Sequence, residues 1–114
     1  MQPSLREIPE LSRTEIKIGN YSKFGKLIVL NISTTKQEDS VANNKARVLA
    51  TLDSSVRPKE TFVVTPVVGR DENYAPIPNC YIILRKTGDL EFYQASGATK
   101  TVKQILGIVS YFIK

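Results

Sequence analysis

TVKQILGIVSYFIK, residues Thr101 to Lys114, can be read with either of two periods. Val102, Ile105, Leu106, Val109 and Ile113 fall at spacings that place apolar side chains on one stripe of a helix. Against that stripe stand the segment's β-branched residues, Gly107 and the adjacent Tyr111-Phe112 pair, all weak helix formers. The segment therefore reads as a strand. With that choice made, no long helical pattern remains and the chain reads as all-β.

Strand signals recur upstream. CYIILRK and LEFYQ flank Thr87-Gly88-Asp89, a tight hairpin. TFVVTPVVG is too β-branched to prefer a helix, and its Pro66 cannot donate to a ladder, so this strand lies at an edge or carries a bulge there. Before it, Asp53-Ser54-Ser55 and Arg57-Pro58 make a corner: Pro58 pushes Arg57 toward extended geometry, while Asp53 and Ser54 can bond their own turn. Lys26 to Thr34 is a further strand, and Gly25 precedes it where a positive φ costs little. Thr14 to Tyr21 alternates like a strand, and TKQEDSVANNK reads as a polar loop. Short strands separated by turns imply an antiparallel β-sandwich, jelly-roll-like, of about seven to eight strands, with a small barrel as the alternative.

At 114 residues the chain fits one domain, expected over 13–114, with residues 1–12 as a lead-in or attachment segment because they hold Pro3, Pro9 and no sustained period. The N-terminus has no apolar stretch of the signal-peptide kind, and Ile105–Ile113 is far short of the roughly 20 residues that span a bilayer. Cys80 is the single cysteine, which excludes an intrachain disulfide and fits synthesis in a reducing cytoplasm. The net charge of +5 is spread along the chain rather than clustered with aromatics, which argues against nucleic acid as the partner.

Chemistry-bearing motifs are sparse. There is no histidine, so the commonest general base and metal ligand is missing, and Cys80 has no imidazole partner. Its alternation with Ile82 and Leu84 makes it a buried filler. Asp71 and Glu72 adjoin on an exposed loop and read as solvated carboxylates, and no glycine-rich loop resembles a phosphate cradle. The expectation is a binding or structural module that is no enzyme and needs no metal or cofactor. Phe62, Phe92 and Phe112 read as core. Tyr74, in RDENYAP, has no strand period to bury it, so its ring either stands exposed as a platform or folds over its own loop.

The order of segments resembles one family. SKFGKLIVLNIST, ATLDSSVRP, CYIILRKTGDLEFY and IVSYFIK look like successive motifs of the β domains at the ends of tailed-phage fibres and baseplates, except that Asp53 stands where that family usually has proline. The resemblance implies a phage or prophage tail protein of Gram-positive hosts, located in the virion, commonly homotrimeric. Its partners would be other tail or baseplate proteins and cell-wall polysaccharide. Saccharide recognition needs an aromatic face beside polar groups that reach hydroxyls, and Arg70, Asp71, Asn73 and Tyr74 supply both in one loop. Two other readings are an OB-type barrel gripping single-stranded nucleic acid through Tyr21, Tyr81 and Tyr93, and an architectural virion subunit without a receptor. Independently of family, Leu27–Ile32 and Ile105–Ile113 are apolar on both faces, more than a two-layer sandwich needs, so self-association is expected, with a trimer as first guess.

Overall fold

Thr101–Phe112 does lie in a strand, the longest among the described residues. The computed structural model describes residues 11–16, 18–34 and 39–113. Its strands are β1 (Leu11–Ile16), β2 (Gly19–Phe24), β3 (Leu27–Thr34), β4 (Asp39–Val41), β5 (Lys45–Thr51), β6 (Phe62–Pro66), β7 (Val68–Asp71), β8 (Pro76–Ile77), β9 (Cys80–Arg85), β10 (Asp89–Gln94) and β11 (Lys100–Phe112). A large antiparallel sheet runs β1-β2-β3-β11-β7-β8, with β4 also paired to β11, and a smaller one runs β5-β10-β9-β6. The two pack as an all-β sandwich. A single 3-10 turn, Ser54–Val56, is the helical element among the described residues.

β11 explains its own double period. Its register against β7 slips between Val102 and Gln104, a bulge that turns both Val102 and Ile105 inward. From Ile105 onward the strand alternates, with Ile105, Val109 and Tyr111 buried while Ile108 and Phe112 face out. The three-residue step across the bulge imitates a helical spacing. The core between the sheets is built on Ile28, Leu30 and Ile32 of β3, Ile82 and Leu84 of β9, and Leu90 and Phe92 of β10, all essentially inaccessible to water. Burying each such side chain stabilises the fold by about 1.5–3 kcal/mol relative to leaving it exposed.

Pro66 ends β6, one of the two edge strands of the small sheet. Beyond it the chain crosses to the large sheet at Val67, whose amide donates to the Cys80 carbonyl at 3.1 Å. Gly107 makes the crossing possible: a Cβ there would come within 2.4 Å of Val67 Cγ1. The corner after β5 is held as its residues suggest. Ser55 donates its amide (3.1 Å) and its hydroxyl (2.6 Å) to Asp53 Oδ2, and Arg57 is extended. The Tyr111 hydroxyl donates to the buried Val56 carbonyl, and the Lys59 amide donates to the Phe112 carbonyl at 2.9 Å. Corner and β11 are thus clamped together.

Several local expectations need correction. The alternating stretch Thr14–Tyr21 is no single strand: the chain reverses between Ile16 and Gly19, which are paired across the β1–β2 hairpin. Gly19, at φ +150°, lies against the Asn31 carbonyl where a Cβ would sit 2.0 Å away. The polar loop after β3 contains β4, and the strands number eleven among the described residues because brief pairings such as β4 and β8 carry too few residues to show a period. Phe92 is core, but Phe62 and Phe112 are 54% and 60% exposed, since both point away from the facing sheet. Most of the expected lead-in lies outside the described residues.

Candidate functional site

β7 and β8 are joined by a turn whose carboxylate is its own scaffold. Asp71 Oδ1 accepts the amides of Asn73 (2.9 Å) and Ala75 (3.0 Å), and the Asp71 carbonyl accepts the Tyr74 amide at 2.9 Å. This is the local bonding that favours aspartate at turns. Tyr74 is thereby held at φ +59°, a left-handed conformation that an aromatic residue rarely adopts. Its side chain is 48% exposed, and Lys103 Nζ stands 5.5 Å from the ring centroid. A cation at that distance over an aromatic face is attracted by the ring quadrupole. Lys103 is the extra residue of the β11 bulge, so the bulge that disguised the strand also supplies the lysine at this ring.

The structure brings Arg70, Asp71, Asn73 and Tyr74 into one hairpin but gives them different tasks. Asp71 commits one oxygen to the turn. Arg70 belongs to β7, opposite Gln104, and its Nε is buried without a hydrogen-bond partner. Asn73 and Tyr74 are exposed at the tip. Asp71 Oδ1 is engaged by the backbone of its own turn, and Glu72 is exposed beside it.

An aromatic pair lies on the outer face of the small sheet. Tyr81 and Tyr93 are register partners with ring centroids 6.3 Å apart and tilted by 44°, and the Tyr93 hydroxyl donates to Asn44 Oδ1 at 2.9 Å. Tyr21 is not with them: it sits on the large sheet, packed against the core. Beside the pair, Arg85 Nε bonds Glu91 Oε2 at 2.7 Å, which raises the arginine above its ordinary value. That face mixes both signs. The three-tyrosine basic platform of the nucleic-acid reading is not assembled, and two separate sheets stand where an OB-type domain would close a barrel.

Two features had no signal in the sequence. An open concavity of about 420 Å³ is lined by Ser54, Ser55, Arg57, Pro58, Lys86 and Ile113, residues far apart in the chain. Arg57 lies across the β9–β10 turn, donating from Nε to the Leu52 carbonyl at 3.1 Å, and a Cβ at Gly88 would come 2.7 Å from both groups. The Asp53 carboxyl on the same corner is held below its ordinary value, first by the Ser55 hydroxyl and amide and to a lesser degree by the Arg57 charge. The other feature is Gln94, fully buried and fully bonded: Nε2 donates to the Val41 and Ala98 carbonyls, each at 2.8 Å, and Oε1 accepts the Ser96 amide at 2.7 Å. Gln94 pins the loop that precedes β11. Cys80 is the buried filler its alternation implied, with Sγ 3.2 Å from the Ile77 carbonyl and burial pushing the thiol up to about 11.

No family model and no curated protein matches this chain. No helix among the described residues is long and apolar enough to cross a membrane.

Proposed function

We propose that this chain is a non-catalytic binding module of a phage or prophage tail or baseplate, and that its β7–β8 hairpin engages cell-wall saccharide. The observation that carries the reading is Tyr74: a ring half exposed at the tip of a turn whose backbone is already fixed by Asp71. An aromatic face held in place before binding loses little conformational freedom when a sugar stacks on it. Asn73 beside it offers both a donor and an acceptor to hydroxyls. Support for the virion setting comes from the ordered resemblance of four segments to tail-fibre and baseplate domains. The Asp53 departure is mild in backbone terms, since φ −60° and ψ 151° are values that proline also adopts.

The test is Tyr74→Ala in the full chain, assayed for adsorption to purified Gram-positive cell walls and for thermal stability. Loss of adsorption by at least about tenfold with a melting temperature within a few degrees of wild type is the expected result. The tip ring is half exposed, and surface changes of this kind usually cost little. Unaltered adsorption by a folded variant would place the saccharide contact elsewhere, and absence of wall binding by the wild-type chain would refute the saccharide reading itself.

A further inference from the structure

The open concavity of about 420 Å³ beside the Asp53–Pro58 corner is built from three places in the chain: the corner itself, the β9–β10 turn at Lys86, and Ile113 just after β11. From Lys103, at the β7–β8 hairpin, β11 runs about 30 Å before it reaches this end. The volume lies in the range of about 300–1,000 Å³ that small-ligand sites occupy. Its charged lining residues, Arg57 and Lys86, are both cations. Among the described residues neither forms an ion pair. The carboxylates of the adjoining turns are held by other groups. Asp53 Oδ2 accepts the Ser55 amide and hydroxyl, and Asp89 accepts the hydroxyls of Thr51 at 2.9 Å and Thr87 at 3.3 Å. Arg57 is part-buried and commits Nε to the Leu52 carbonyl, so four of its five N–H groups have no acceptor among the described residues. The Ser54 hydroxyl, unlike that of Ser55, is not spent on Asp53.

We propose that this concavity binds a phosphate ester carried on a small organic body. A planar guanidinium fork, a mobile ammonium and a hydroxyl line one hollow, and a tetrahedral phosphate has enough oxygens to take all three kinds of donor. Pro58 and Ile113 supply apolar wall for the carbon skeleton. The guanidinium is fixed in advance: its Nε is tied to Leu52, and it lies against Gly88, where any Cβ would come within 2.7 Å of that nitrogen. A donor ordered before the ligand arrives loses little freedom on binding. A hollow whose charged walls share one sign also raises the local concentration of the opposite ion. Glycine at position 88 therefore does more than permit the hairpin, since it makes room for the arginine. The site goes beyond the saccharide hairpin and does not depend on it.

Titration of the full chain with glucose 6-phosphate, followed by backbone amide NMR shifts, tests it, with glucose and inorganic phosphate as the other two probes. The sugar phosphate should bind saturably with a dissociation constant of about 1 mM or tighter. Shifts should centre on Ser54 to Arg57, Lys86 to Gly88 and Ile113. Glucose should give none there, and inorganic phosphate should bind the same amides more weakly because it has no body to rest on Pro58 and Ile113. Lys86→Gln removes an exposed charge that makes no internal pair, so the fold should survive while affinity falls at least about fivefold. Arg57→Lys keeps the charge but loses the fork, and should weaken binding as well. Ser54→Ala is the further variant should Arg57→Lys disturb the corner. No saturable binding of glucose 6-phosphate by wild type would overturn the proposal, as would equal shifts with glucose. Undiminished affinity in both Lys86→Gln and Ser54→Ala, or shifts confined to the β7–β8 hairpin, would also overturn it, because the phosphate would then sit elsewhere.

Discussion

Replacing Tyr111 by phenylalanine removes one oxygen and leaves the ring in place. That oxygen belongs to the hydroxyl that donates to the Val56 carbonyl, and both residues are buried, at 5% and 3% exposure. With the donor gone, the carbonyl at the end of the 3-10 turn loses this bond in a site with little access to water. Leaving a buried acceptor unpaired costs about 1–3 kcal/mol. For a domain of this length each kcal/mol corresponds to about 4 °C, so the melting temperature should fall by about 4–12 °C. Thermal unfolding followed by far-UV CD would measure it, and urea unfolding should show a lower midpoint with an unchanged slope, since the surface exposed on unfolding is the same. Trypsin should also cut faster after Lys59, whose backbone is tied to β11 through the Phe112 carbonyl. A melting temperature within about 1 °C of wild type would refute the claim that this hydroxyl clamps the corner to β11.

Gly69→Ala should destabilise the fold by about 1–3 kcal/mol through overpacking, because its Cβ would come within 2.9 Å of both Cys80 Sγ and Phe92 Cζ; a melt unchanged from wild type would show that these side chains can retreat. Alkaline stability gives a third check. Burial raises the Cys80 thiol from 9.0 to about 11, so its contribution is fully present below pH 9 and is lost as the unfolded chain alone ionises between pH 9 and 11, about 2–3 kcal/mol in all. Tyr111 is also pushed above its ordinary value of 10, by burial and then by Tyr21, and so adds to the loss above pH 10. Urea midpoints measured across this range should fall steadily for wild type and stay flatter in Cys80→Ala between pH 9 and 10; parallel curves would refute the assignment to the thiol.

The all-β class, the corner at Asp53–Pro58, the Gly88 hairpin and the buried Cys80 were legible in the sequence because each rests on short-range physics: β-branched content, ring-fixed φ, glycine at positive φ and alternation. The candidate loop was legible for the same reason, since Arg70 to Tyr74 are neighbours in the chain. What Asp71 does there was not, because a carboxylate that caps its own turn and one that is merely solvated have the same sequence. Outcomes that depend on which sheet a strand joins were decided by tertiary structure alone. Phe92 and Phe112 sit in similar strands, yet one points between the sheets and the other away from them. Tyr21 was separated from Tyr81 and Tyr93 by the same partition. The bulge at Lys103 and the sheet crossing at Val67 both arise from register between strands distant in the chain. Sequence periodicity records that a residue alternates, whereas the face it alternates toward is set only when the sheets pack.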